Sequence, residues 1–437
     1  MKKVALSLAG VLAAATFAPE ASAVPAFARQ TGMACSACHA QHFPILNGFG
    51  RAFKAAGFTM MGAQEKIEGD NISLPANLNF GVLAKVRFVK TNGNTDKPVD
   101  NRGGLVDGAD TNDGQIQFPD EYSLFWGGRV ADTGLIKVGT MTEFDAAGGG
   151  TLGLRIPVVV DLDTVKLSVI PYATDALGPF YGYSESSTGV TRGIRWAEHR
   201  KEISAHQYVG MGAGAATGIA LVAHTDMGYI NVSRWSPNLW YLGNNPDGTV
   251  QSGARPESTA LSIAVTPTIG DFAIVAGVDY LTGSSILNNV NVDSVPSGLV
   301  RQDTNAVGAS AQAHGEVAGM EAGFYASWAK TPGSFNTTSL DADGKKIGNS
   351  AFNSNPGAKK AFALGADFTV IPHTLSLGAA YRGASNGKAG SNDDAITLAA
   401  VYDLAQNVAF HADWTSYKDN QGTNGDSMFT GMLEAAW

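Results

Sequence analysis

Residues 77–88, NLNFGVLAKVRF, set the pattern for most of the chain. Leu78, Phe80, Val82, Ala84, Val86 and Phe88 fall on one parity; Asn77, Asn79, Lys85 and Arg87 fall on the other. A period of two is the mark of a β-strand with one apolar and one polar face. The same alternation runs through DFAIVAGVDY (Phe272, Ile274, Ala276, Val278, Tyr280), AFALGADFTV (Phe362, Leu364, Ala366, Phe368, Val370) and NVAFHADWTSY (Val408, Phe410, Ala412, Trp414). Sixteen such segments are expected, at 76–90, 119–131, 134–142, 151–161, 164–173, 215–225, 227–236, 256–266, 271–282, 303–314, 318–330, 359–371, 373–385, 392–404, 406–418 and 427–437.

The links between them alternate in length. One to five residues join some pairs, as at Asp132-Thr133, Leu162-Asp163, Pro372 and Ala405. The others are longer and rich in Gly, Asn, Asp and Ser, at 91–118, 143–150, 174–214, 237–255, 283–302, 331–358, 386–391 and 419–426. Short turns on one rim and long loops on the other describe an outer-membrane β-barrel. A sandwich does not require that alternation, and a propeller would carry a repeating blade motif, which is not found. The last segment offers an apolar row, Phe429, Gly431, Leu433, Ala435 and Trp437, ending in an aromatic residue. The expected fold is an all-β barrel of about 16 antiparallel strands over residues 75–437.

Composition agrees with a membrane setting. Of 437 residues 53 are glycine and 16% are charged, where about 7% and about 25% are usual. Residues 1–23 read as a secretory signal peptide: Lys2 and Lys3, an apolar run from Val4 to Ala18, then Ala21-Ser22-Ala23 for cleavage. Without Lys2, Lys3 and Glu20 the chain holds 28 basic against 38 acidic residues. That balance opposes nucleic acid as a partner.

Residues 24–74 differ from the rest. They hold both cysteines of the chain, in Cys35-Ser-Ala-Cys38-His39. C-x-x-C-H is the attachment signature of a c-type haem. The two thiols become thioethers on the haem vinyl groups, and His39 sits under the iron as proximal ligand. A zinc site would need four ligands, a thioredoxin-like pair a βαβ setting, and a disulfide over two residues would close a negligible loop. Phe43, Ile45, Leu46, Phe49, Phe53 and Phe58 are expected to form one or two short helices against the haem. Pro44 suits a helix start and Gly57 a helix end. For the sixth ligand Met60 or Met61 has suitable spacing and type. His199, His206, His224, His314, His373 and His411 remain alternatives, with His42 expected in packing and Met33 too close to Cys35.

With roughly fifty residues the segment is too small to stand comfortably alone. It joins the first strand directly, so it is expected as a small α-helical plug in the aqueous lumen or at its periplasmic mouth. "VPAFARQTGMACSACHAQHFPILNGFGRAFKAAGF", residues 24–58, resembles the N-terminus of the fused monohaem cytochrome c–porins of iron(II)-oxidising bacteria. The likeness lies in Phe27-Ala28-Arg29-Gln30-Thr31-Gly32, the C-x-x-C-H, Phe49-Gly50-Arg51 and Phe53-Lys54, and extends to the barrel. Gln41-His42 departs from it by one residue before the Phe-Pro. The resemblance implies a haem held by Cys35, Cys38 and His39, an outer-membrane location, and electron transfer inward from extracellular Fe(II). A periplasmic cytochrome or similar carrier is the expected acceptor. Asp96, Asp100, Asp107, Asp110 and Asp113, facing Lys97 and Arg102 in the first long loop, suit attraction of a hard cation. They equally suit an ordinary solvated loop. A different donor or acceptor, a solute porin with a haem-bearing plug, and a periplasmic haem peroxidase are the competing readings.

Overall fold

The structure is a computed structural model. It describes residues 26–40, 45–62, 64–70, 72–92, 114–146, 151–175, 177–184, 189–190, 201–238, 241–244, 250–252, 255–287, 300–334, 349–390, 392–418 and 427–437. The signal segment, the acidic residues 96–113, His42, Phe43, Pro44 and His199 lie outside these.

Sixteen strands close into one antiparallel barrel. They are β1 (Phe80–Thr91), β2 (Gln115–Asp132), β3 (Ile136–Asp145) and β4 (Thr151–Arg155, resumed as Val158–Asp161). Next come β5 (Lys166–Thr174), β6 (Ala216–Thr225), β7 (Gly228–Ser236) and β8 (Ser258–Val265, resumed as Thr268–Ile269). Then come β9 (Phe272–Thr282), β10 (Ala306–Val317), β11 (Met320–Thr331) and β12 (Lys359–Ile371). The last four are β13 (Leu375–Ser385), β14 (Asp394–Ala405), β15 (Val408–Lys418) and β16 (Ser427–Ala436). Each pairs with its sequence neighbour, and β16 returns to β1 through Met428↔Thr91 to Ala436↔Leu83. All sixteen expected segments are strands. β2 starts earlier than expected, at Gln115, because the Gln117 side chain binds Arg87 of β1 across the ladder.

One parity of each strand faces out. Ile219, Leu221, Val278, Leu364, Ile396 and Leu398 are exposed there. Aromatic residues ring this band at both ends. Trp328, Phe362, Trp414 and Phe429 lie near the long loops, and Phe272, Phe324 and Phe410 near the short turns. An apolar band between two aromatic girdles is a lipid-facing surface. Among the described residues no helix is long and apolar enough to cross a membrane; the crossing elements are strands.

The inward parity is of two kinds. On β1, β2 and β16 it is charged and paired: Lys85 with Glu121 at 2.6 Å and Glu434 at 3.6 Å, Arg87 with Asp120 at 2.9 Å. On β5 to β9 it is largely apolar, interspersed with buried Asn231, Ser233, Ser262 and Asp279. Ile170, Tyr172, Ala220, Val222, Tyr229 and Trp235 form one buried cluster with Phe180, Tyr181, Tyr208, Val209 and Met211 of the long β5–β6 connection. That connection therefore folds inward and fills part of the lumen, where only the N-terminal segment was expected as a plug.

Candidate functional site: the C-x-x-C-H turn inside the barrel

The N-terminal segment enters the barrel as α1 (Ala26–Thr31), one 3-10 turn (Cys35–Ala37) and α2 (Gly48–Ala55). Asn47, not Pro44, starts α2: its Oδ1 accepts from the Gly50 amide at 2.9 Å, the bond of an N-cap. Gly57, at φ +69°, closes the helix as its sequence position suggests.

Cys35 and Cys38 flank the 3-10 turn, with Cys38 N donating to Cys35 O at 3.1 Å and His39 N to the same oxygen at 2.9 Å. That tight turn sets both thiols and the imidazole within one compact stretch. The thiols are unbridged and half-buried. Burial first, and then Cys38, pushes the Cys35 thiol up; burial does the same to Cys38. Both are therefore protonated at neutral pH, unlike the low-pKa thiolate of a dithiol redox catalyst.

Asn47 ties the turn to α2. Its Nδ2 donates to Ser36 O at 3.2 Å and Ala37 O at 3.1 Å, and its amide donates to Cys38 O at 2.9 Å. α2 lies so close to the motif that a Cβ at Gly50 would collide with the Cys38 carbonyl. Ala40 N donates to Ile45 O at 2.9 Å, and His39 bridges Leu46.

The segment is seated on the inner wall. Ile45 is buried with Tyr325 of β11, Ala380 of β13 and Ala399 of β14, and with Val190 and Ile203 of the inward loop. Phe27, Phe53 and Phe58 pack together with ring centroids 4.9 to 5.8 Å apart, Phe27 stacked on Phe58 and edge-on to Phe53. Arg155 of β4 lies 5.1 Å over Phe58. So Phe53 and Phe58 build the segment's own core, while Phe49 and Met33 stay exposed near the motif.

Met60 and Met61 are half-buried. Gln30, fully buried, fixes their path: its Nε2 donates to Phe58 O and Met60 O, both at 2.7 Å. Its Oε1 accepts from Asn79 Nδ2 at 3.1 Å and from Arg129 N at 3.0 Å. Residues 60–62 thus run beside Gln30 and Thr31, at the entry to the motif. The wall histidines go elsewhere. His206 meets Asp279 at 3.0 Å, His314 meets Tyr325 Oη at 3.2 Å, His224 stacks near Tyr229, His411 is 3.8 Å from Glu434, and His373 sits in an exposed turn. Asn47 and Gln30 carry most of the local bonding; Asn47 is not marked in the sequence, and Gln30 is marked only as part of the Phe27–Gly32 resemblance, with no role given to it. An Asn just ahead of a helix is the signal for the first; the second has none, since its partners are 28 to 99 residues away.

The inward loop meets the segment from the long-loop side. It carries α3 (Lys201–Ile203) and α4 (Ala205–Val209). Lys54 Nζ donates to Ser184 O at 2.8 Å and lies 4.7 Å over the Tyr183 ring. Beyond it, Glu202 pairs with Arg382 of β13, Arg382 also holds Asp393 at 2.9 Å, and Tyr208 donates to Asp393 at 2.7 Å. Burial and the Asp393 charge push the Tyr208 phenol above the tyrosine range, so it remains a neutral donor.

The fold and site together define a porin-like barrel whose lumen holds an N-terminal C-x-x-C-H segment and an inward loop. No protein-family model and no curated protein matches the chain. Among solved structures, a Salmonella typhi OmpF complex with daunomycin is 13% identical over 85% of this chain and 100% of that one, with a TM-score of 0.48. An anion-selective porin from Comamonas acidovorans is 12% identical over 82% and 98%, TM-score 0.46. A loop-deletion mutant of Vibrio cholerae OmpT is 12% identical over 83% and 99%, TM-score 0.44.

Proposed function

We propose that the protein lies in the bacterial outer membrane and carries electrons through it on one covalent haem c, from extracellular Fe(II) to a periplasmic carrier. The observation that carries the reading is the C-x-x-C-H turn inside a membrane-type barrel, with both thiols unbridged. Each S–H adds across a vinyl double bond, so attachment consumes no oxidant. Cys35 and Cys38 form the thioethers and His39 is the proximal ligand. Met60 or Met61, whose path Gln30 fixes beside α1, is the proposed sixth ligand. When bound, the haem supplies a one-electron Fe(III)/Fe(II) couple. Asn47 and Gly50 hold the turn, and exposed Met33 and Phe49 offer apolar surface beside it. The barrel insulates, and each Fe(II) that gives an electron leaves as Fe(III).

A solute porin is the second reading, favoured by the charged inner wall around Lys85 and Glu434. The inward loop and N-terminal segment stand against it, since both occupy lumen space.

The test uses purified full-length protein in lipid nanodiscs. Haem staining must survive denaturing electrophoresis, and stopped-flow mixing with Fe(II) must reduce the haem band. Cys35→Ser/Cys38→Ser should lose the stain and keep the heat-dependent mobility of a barrel. No covalent haem in the wild type sinks the reading. Haem that Fe(II) leaves oxidised rejects iron as donor and keeps the conduit.

A further inference from the structure

Between the N-terminal segment and β1 the chain makes a two-stranded hairpin, Lys66–Gly69 against Ile72–Pro75. Its register pairs Ile67 with Leu74 and Gly69 with Ile72, which puts Ile67, Ile72 and Leu74 on one face. Lys66, Glu68 and Ser73 are on the other. The polar face is the one turned to the protein: Ser73 Oγ donates to Glu68 at 3.0 Å and accepts from Arg129 Nη2 of β2 at 3.2 Å. The apolar face is turned out, with Ile67 56%, Ile72 51% and Leu74 51% exposed. A hairpin on a soluble core does the reverse. At its base a cleft of about 590 Å³ opens between Arg29, Gln64, Glu65, Asn77 and Leu78. Arg29 lies on α1, which leads through Thr31 directly into the cysteine turn.

The hairpin stands on the short-turn rim, since it precedes β1 and touches the end of β2 that leads into a short turn. That rim is acidic. Glu65 and Asp70 are exposed beside the hairpin and Glu68 at the edge of its polar face, and Asp163, Asp226 and Asp271 lie exposed on other short turns of the rim, Asp226 and Asp271 away from the hairpin. Of the nearby cations, Lys66 pairs with Glu68 at 3.4 Å, Lys137 and Lys166 pair with Asp161 at 2.8 and 3.4 Å, and Arg29 and Arg129 donate to Phe80 O at 2.8 Å and Ser73 Oγ at 3.2 Å.

We infer that this face docks the soluble electron acceptor, a protein with a lysine-rich surface around an apolar cofactor edge. The inference rests on the conduit reading and names the partner of its exit. Charge selects the occupant. Carboxylates around an apolar centre attract a cationic protein and speed its encounter, and they repel an anionic membrane surface. The position supplies the purpose, since the cleft adjoins the helix that carries the chain into Cys35.

The experiment immobilises haem-loaded full-length protein in nanodiscs and uses a lysine-rich c-type cytochrome as probe. The same cytochrome with succinylated lysines is the charge-reversed control. The native probe should bind, with an association rate that falls as salt rises, and the succinylated one should not. Glu65→Lys/Glu68→Lys/Asp70→Lys should slow association roughly tenfold at low salt, and Ile67→Ser/Leu74→Ser should speed dissociation roughly tenfold. A matched Asp226→Lys/Asp271→Lys/Glu316→Lys variant should do clearly less. Equal effects from the two charge-reversal variants, equal binding of both probes, or unchanged dissociation of the serine variant each overturn the docking face. So does weaker vesicle insertion of the serine variant with cytochrome binding intact, which would give the face to lipid. Haem stain is read on every sample, so failure of the conduit, seen as no stain, is distinct from failure of docking.

Discussion

Asn47 is the residue on which the cysteine turn and the second helix both depend. One amide side chain caps α2 and holds two carbonyls of the turn, while its own amide takes a third. Removing the cap alone costs about 1 kcal/mol. Asn47→Ala also releases the Ser36 and Ala37 carbonyls, so the loss should fall on the turn that presents the thiols. The expected result is a lower haem-to-protein ratio at unchanged barrel yield, with Asn47→Asp, which keeps the capping oxygen, intermediate. A haem load equal to wild type in the alanine variant would remove Asn47 from the attachment site. Cys35, Cys38 and His39 stand out in the sequence because their spacing is local, and the structure keeps all three in one tight turn. Pro44 has the residue type of a helix start, yet the helix begins at Gly48, where a side-chain acceptor is at hand. Gln30 falls within the Phe27–Gly32 resemblance, but its role is not readable there, because its worth lies in four partners gathered by the fold.

At the level of elements, alternation is enough to find every barrel strand, because each strand has lipid on one side and a polar or packed lumen on the other. It fails wherever an element's partner is distant in sequence. The β5–β6 connection reads as a long polar loop, with Glu202 and His206 looking like surface residues. Inside the barrel they become the contact surface: Glu202 to Arg382, His206 to Asp279, and Ala205 N to Ser327 Oγ at 2.9 Å. The outward apolar face of the 66–75 hairpin escapes for a related reason, since its polar side is spent on Arg129. Arg382 is the fastening point of the loop, 1% exposed and holding both Glu202 and Asp393. Arg382→Ala leaves Glu202 buried without its cation, a loss of about 3–5 kcal/mol. The β5–β6 apolar cluster anchors only the near end, so α3 and α4 should leave the far wall. Limited proteolysis should then cut near residues 201–209 while the barrel keeps its heat-dependent mobility. Protection equal to wild type would mean that packing of Tyr208 and Val209 holds the loop without the ion pair.

Across the whole molecule the lumen is obstructed twice, and the two obstructions lean on each other. The N-terminal segment reaches the β11, β13 and β14 wall through Ile45, and the loop reaches Ile45 through Val190 and Ile203. Lys54 ties them a second time at Ser184 and Tyr183. An insulator must exclude water and ions around its carrier, and a barrel of this strand number left open would conduct them. The two blocks in series give a specific expectation for planar-bilayer recordings. Arg382→Ala alone should raise conductance slightly, because the N-terminal segment still fills its part of the lumen. Ile45→Ser/Lys54→Ala alone should also do little, because the loop remains fastened to Arg382. Combined, they should open the pore by more than the sum of the separate effects, since each change removes the support of the other block. Additive conductances would show two independent plugs. A wild-type conductance already equal to that of the combined variant would show a lumen open to solutes, and would return the solute-porin reading to first place.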